Sequence, residues 1–251
     1  EAAERGHKVT LFDKAQMIGG QLNLAKMVPG KEEFWGLVDW FSEMLKSSGA
    51  EVKLGELVTS SDVIDFDEVI IATGVSPRDP KIKGHQKNNV VSYVEVLNGT
   101  GQIGQKVAVI GAGGIGFDVS EYLVHENKSD NKQIEIPKWM SEWGVGDPNK
   151  TPGGLAESGP KPEAAVRQVT LMQRKKQKLG RNLGKTTGWI HRSALKMKNV
   201  QMIGNINYEE ITSKGIMVSD GELRENPRLV SADTVVICAC LLYTSPTHET
   251  I

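Results

Sequence analysis

Apolar and polar positions follow two rhythms along this chain. Runs of apolar residues at 8–13, 51–54 and 106–110 have the length of strands. Phe34, Leu37, Val38, Phe41, Met44 and Leu45 instead recur every three or four residues, which predicts a helix over 34–48 lying on a sheet. Gly49 is placed to end that helix. Residues 1–6 read as the last turn of a helix, Val58 as part of a short strand, and 67–74 as an apolar strand closed by a small-residue turn. Residues 75–80, with Pro77 and Pro80, read as a connector outside regular structure.

From Lys106 the pattern restarts: a strand over 106–110, a glycine turn, a helix over 115–124, and a strand over 169–172. Further strands are predicted at 199–203, 209–212, 215–219 and 234–237. Two successive βαβ-like units predict an α/β fold. The stretch 125–168, rich in Asn, Lys, Gly and Pro, is too long for a simple connector and reads as an insertion with a function or a partner. Within it Trp139 and Trp143 are four apart and would share one helix face. Packing of the insertion is the plainer reading of that pair, and a substrate or domain contact the sharper one.

Composition narrows the class. With 251 residues, 39% hydrophobic and 24% charged, the chain has the balance of a soluble globular protein of one large or two ordinary domains. A net charge of −1 gives no basic excess for nucleic acid or an anionic membrane, and no apolar run approaches the roughly 20 residues of a bilayer span. Cys238 and Cys240 lack the second pair that a structural zinc site or a disulfide framework needs, which fits a reducing, cytoplasmic compartment.

The chemistry begins at KVAVIGAGGIGFDVSEYL, where Gly111, Gly113, Gly114 and Gly116 follow a strand and open a helix. Glycine is needed there for the tight turn, for close approach of backbone to a pyrophosphate, and for helix–strand packing. The helix start directs free N–H groups at the phosphates. Asp118, in the first helical turn, is assigned no chemistry. The end of the next strand selects the dinucleotide, because an acid accepts from the ribose 2′-hydroxyl of NAD whereas cations suit the 2′-phosphate of NADP. This chain has Gln173, Arg174, Lys175 and Lys176 there, which favours NADPH with Arg174 and Lys175 as contacts.

Asp13 is the opposite case, an acid ending a second strand, and suits an adenosine ribose without a 2′-phosphate, as in FAD. Gly19, Gly20 and Gln21 form a loop that can approach such a cofactor, and Ala72, Thr73 and Gly74 a third small turn that could do the same. Residues 183–187 imitate a P-loop, but only three residues separate Gly180 from Gly184, which excludes one. His191 and Arg192 read as packing or surface residues. No catalytic residue and no metal ligand is assigned.

The succession VTLFDKAQMIGGQLNLAKMVPGKEEF, IIATGVSPRDP, KVAVIGAGGIGFDVSEYL and LMQRKKQKLGRNLGKTTGWIHR resembles the C-terminal half of the bacterial NADPH-dependent 2,4-dienoyl-CoA reductases. The resemblance runs to Ala239. It implies a Rossmann-like NAD(P)-binding domain inserted in a partial FAD-binding Rossmann-like domain, of the pyridine nucleotide-disulphide oxidoreductase type. The expected division is 1–100 for the FAD domain lacking its first βα unit, 101–233 for the NADPH domain with its insertion at about 125–168, and 234–239 for the start of the return. Residues 240–251 look foreign, since Cys240 to Ser245 resembles a translated sequencing adapter.

The resemblance further implies hydride transfer from NADPH to FAD, feeding an FMN and 4Fe-4S barrel outside this chain that reduces an unsaturated acyl-CoA in fatty acid β-oxidation. Enoate reductases, trimethylamine dehydrogenase-like enzymes and a non-catalytic nucleotide-binding module remain alternatives.

Overall fold

The computed structural model describes residues 1–126, 136–239 and 241–243. They divide into two compact units, one of residues 1–27, 31–76 and 241–243, the other of 28–30, 77–126 and 136–239.

In the first unit β1 (Thr10–Asp13) leads through the short α1 (Leu22–Ala25) and the long α2 (Glu33–Ser48) to β2 (Glu51–Leu54), which pairs parallel with β1. Phe34, Leu37, Val38, Met44 and Leu45 are half-buried along α2, and Gly49 closes it at φ 73°, in the left-handed region that only glycine enters freely.

Three expectations fail in this unit. Val58 belongs to no strand. Residues 67–74 form no strand, and Val69, Ile70 and Ile71 are exposed, Ile70 at 90%. Apolar sequence alone does not make a strand, because its backbone N–H and C=O groups need a neighbouring ladder and none among the described residues flanks this stretch. Conversely, Val75–Pro77, read as part of an irregular connector, is strand β3.

The second unit holds the core. Its elements in chain order are β4 (Val90–Ser92), α3 (Tyr93–Leu97), β5 (Lys106–Ile110), α4 (Gly114–Val124), α5 (Ile136–Trp143), β6 (Gln168–Met172), α6 (Gly188–Met197), β7 (Gln201–Ile203), β8 (Ile206–Thr212), β9 (Gly215–Asp220), β10 (Glu225–Ser231) and β11 (Thr234–Ile237). A parallel sheet runs β4-β11-β5-β6-β7, and β8, β9 and β10 form an antiparallel meander. Strands β5, β6 and β11 are apolar on both faces because both are covered. The meander contributes Ile206, Ile211, Ile216 and Val218 to one core with Ala108, Ile110, Met172 and Val235 of the sheet, while Phe117 and Leu123 of α4 are also fully buried. The last strand, β12 (Leu241–Tyr243), pairs with β3 in the first unit.

The described part of the insertion is folded. Trp139 and Trp143 sit one turn apart on α5 with ring centroids 6.4 Å apart, and the chain then turns back through a bridge between Val145 and Leu155. The buried Lys198 at the end of α6 reaches it, its Nζ donating to Glu142 Oε1 at 2.8 Å and to Glu163 O at 3.1 Å. An ammonium out of water needs such partners, so one cation ties the insertion to the sheet layer.

Candidate functional site

The glycine turn joins β5 to α4 where the sheet order reverses: β6 and β7 lie on one side of β5, β11 and β4 on the other. Open parallel sheets bind ligands in the crevice outside the carboxyl ends of their strands at such a point. Gly111 takes φ 107° and donates its N–H to Met172 O at 2.9 Å, which locks the turn to β6. A Cβ on Gly116 would stand 1.8 Å from Gly111 O, so the helix start and the turn touch backbone to backbone. Cβ atoms on Gly113 or Gly114 would meet nothing within 4 Å. Two glycines are therefore packed inward and two face open space, the division a pyrophosphate cradle requires. The first backbone bond of α4 runs from Phe117 N–H to Gly113 O, leaving the preceding amides without an intrahelical partner.

Arg174 and Lys175 follow directly from β6, whose Met172 pairs with Ile110 of β5. The glycine turn at 111–116 and the cations at 174–175 thus lie at the ends of adjacent strands. Arg174, Lys175 and Lys176 are all exposed, and their charge stands beside the open end of the cradle.

Sequence reasoning missed Tyr208. Its phenol extends from β8 to this turn: burial pushes its ionisation far up, against the opposing pull of the Arg174 guanidinium and the Gly111 amide. Among the described residues the hydroxyl makes no well-formed hydrogen bond, and the Gly111 N–H beside it points to Met172 O. Nothing local in the sequence marked this tyrosine, because β8 reaches the turn only through the tertiary fold. Cys238 is buried behind the turn, where burial and the Asp118 carboxylate raise its thiol far above the usual range.

His191 and Arg192 are engaged within the fold. His191 Nδ1 lies 3.5 Å from Glu121 Oε2, joining α6 to α4, and Arg192 donates to Gly180 O at 3.1 Å. Residues 184–188 form the turn that opens α6, with Gly188 N–H donating to Gly184 O at 2.7 Å. No group of metal-ligating residues occurs among the described residues, and no helix there is long and apolar enough to cross a membrane.

In the first unit Asp13 ends β1. Its Oδ1 accepts from Ala15 N–H at 2.9 Å, which shapes the following turn and leaves Oδ2 without a partner among the described residues. A cavity of about 460 Å³ lies next to this strand, lined by Phe12, Lys53, Glu56, Leu57, Asp62 and Phe66 but not by Asp13 itself. Gly19 and Gly20 both have positive φ, 108° and 46°, and Asn23 Nδ2 donates to Ile18 O at 2.8 Å to hold their loop, with Gln21 at the start of α1. Ala72, Thr73 and Gly74 are exposed in irregular backbone rather than at a strand end.

Comparison with known proteins sets these two sites in context. The family model for pyridine nucleotide-disulphide oxidoreductase matches residues 1–240. The metal reductase of Desulforamulus reducens is 26% identical over 94% of this chain and 34% of its own length. The cinnamate reductase of Clostridium sporogenes is 37% identical over 56% of this chain and 21% of its own. Among solved structures a 2-naphthoyl-CoA reductase superposes with a TM-score of 0.73 over 96% of this chain and 30% of its own, at 22% identity. The chain thus spans about a third or less of the length of these proteins.

Proposed function

The chain belongs to the pyridine nucleotide-disulphide oxidoreductase family, an FAD- and NAD(P)-binding oxidoreductase type, and from that premise we propose that it is the electron-input module of a larger flavoenzyme with NADPH as donor. The observation that carries the choice of donor is the exposed cationic loop at 174–176 beside a glycine cradle with two open positions. Gly111 and Gly116 hold the turn rigid, Gly113 and Gly114 admit the pyrophosphate, and the α4 amides face its charge. Arg174 and Lys175 take the 2′-phosphate.

Asp13, Gly19, Gly20 and Gln21 hold FAD, with Asp13 Oδ2 accepting from the ribose and the neighbouring cavity receiving the adenosine end. Ala72, Thr73 and Gly74 complete that site. Bound together, the two cofactors supply a hydride donor and a flavin that accepts it. The NADPH domain at 101–233 is read as an insertion in an FAD domain, with 77–100 adding β4 and α3 to the NADPH-side unit.

In the full-length enzyme such a module would feed an FMN and 4Fe-4S barrel outside this chain, whose chemistry would be reduction of an α,β-unsaturated acyl thioester, the 2,4-dienoyl-CoA reaction. A second reading, an enoate reductase acting on the free acid, draws support from the cinnamate reductase at 37% identity. Anaerobic mixing of the FAD-loaded protein with NADPH and with NADH tests the donor: flavin absorbance is expected to bleach faster with NADPH. Binding without bleaching would replace the reading with a nucleotide-binding module. In the full-length enzyme, oxidation of reduced flavin by a dienoyl-CoA but not by cinnamate selects the first substrate class, and the reverse selects the second.

A further inference from the structure

Where an NAD domain carries a carboxylate at the end of its second strand, this chain carries an amide that is turned to internal use. Gln173 is half-buried. Its Nε2 donates to Lys175 O at 3.0 Å and also to Gln177 O. The main chain fastens the same segment from the other side: Gln173 N–H donates to Ile203 O at 2.9 Å, and Asn205 N–H to Lys175 O at 3.1 Å. The nitrogen of the amide carries two hydrogens and so serves both carbonyls, which a carboxylate of the same shape cannot. The loop bearing Arg174, Lys175 and Lys176 is thus pinned from within by one side chain, while its cations stay exposed.

We propose that Gln173 is a positioning residue that sets the choice between NADPH and NADH by holding the backbone of 174–177 so that Arg174 and Lys175 are presented at the end of β6. This rests on the NADPH reading above and deepens it. Long cationic side chains lose rotamer entropy when they grip a ligand, and a loose loop beneath them would add its own ordering cost. Pinning the loop removes that second cost before the nucleotide arrives. A glutamate at 173 would reverse the preference in two ways: it cannot donate to the two carbonyls, and its charge repels a 2′-phosphate while accepting from a 2′-hydroxyl.

Calorimetric titration of the protein with NADP⁺ and NAD⁺, on wild type, Gln173→Leu and Gln173→Glu, tests this. Wild type is expected to prefer NADP⁺. Gln173→Leu is expected to lose at least about tenfold in NADP⁺ affinity, on the order of one charge-assisted hydrogen bond, with NAD⁺ affinity unchanged within about twofold. Gln173→Glu should favour NAD⁺. A merely structural role would weaken both nucleotides alike, and that result overturns the inference, as does a preference kept in both variants. A wild type without preference defeats the NADPH reading and this inference together, whereas preference in wild type that survives the substitutions defeats only the inference. Circular dichroism melts check folding, and if the leucine variant does not fold, the near-isosteric and uncharged Gln173→Met carries the same decision, because glutamate repels a 2′-phosphate whether or not residue 173 pins the loop.

Discussion

At the scale of the residue, the glycines of one turn differ in what they do. Gly116 is pressed against Gly111 O, where an added Cβ would stand at only 1.8 Å, whereas Gly114 faces open space at an ordinary φ. Gly116→Ala must therefore push the helix off the strand, and its expected cost is about 2 kcal/mol or more, as for other overpacked sites. Gly114→Ala should leave stability unchanged or slightly raised, because alanine narrows the unfolded ensemble. Its expected penalty falls on NADP⁺, about tenfold or more in affinity, because the methyl stands where backbone should approach the pyrophosphate. Thermal melts and calorimetry read the two effects separately. A Gly114→Ala chain that binds NADP⁺ as tightly as wild type would show that the open face is not the cradle.

At the scale of the element, α3 shows how a short helix is started and what makes its start sensitive to pH. Ser92 Oγ accepts from Glu95 N–H at 3.3 Å, and Glu95 Oε2 accepts from Ser92 N–H at 2.7 Å and from its Oγ at 2.8 Å, a reciprocal capping box. The Ser92 N–H first, and its hydroxyl second, hold the Glu95 carboxyl below its usual 4.5. A depressed folded pKa means a contribution fully present above the unfolded value and lost as pH falls through the folded one. Glu95 is exposed, so the effect is modest. The stability gap between wild type and Glu95→Gln is expected to hold near neutral pH and to close below about pH 4. Urea unfolding across that range measures it, and a gap that persists unchanged in acid would mean that the charge contributes nothing.

At the scale of the whole molecule, burial is unequal. Every buried hydrophobic residue among those described belongs to the second unit, with Val107, Val109, Leu171, Met172, Val235 and Val236 at its centre. Free energies of local opening track such burial. Hydrogen exchange is therefore expected to be slowest in β5, β6 and β11 and fastest at 67–74, where the backbone is irregular and exposed. Equal protection in the two regions would contradict this ordering. FAD binding is expected to slow exchange around Asp13, and NADP⁺ binding around 111–116, each in its own unit.

The β5–turn–α4 unit was legible in sequence because its requirements are local. A positive φ at Gly111 and backbone contact at Gly116 can each be met by glycine alone, and a strand buried on both faces must be apolar at nearly every position. The α2 stripe and its glycine stop were legible for the same reason. β10 was not: it is mostly exposed, carries Asn226, Pro227 and Arg228, and exists because β9 offers it an edge. The strand expected at 67–74 failed for the complementary reason, since an apolar pattern without a neighbouring ladder has nothing to bond. Sequence thus determined which residues could form a dinucleotide turn and which cations could follow it. Only the tertiary fold decided that Tyr208 would lie against that turn and that Ile203 and Asn205 would fasten the loop that Gln173 pins from within, because these contacts join segments far apart in sequence.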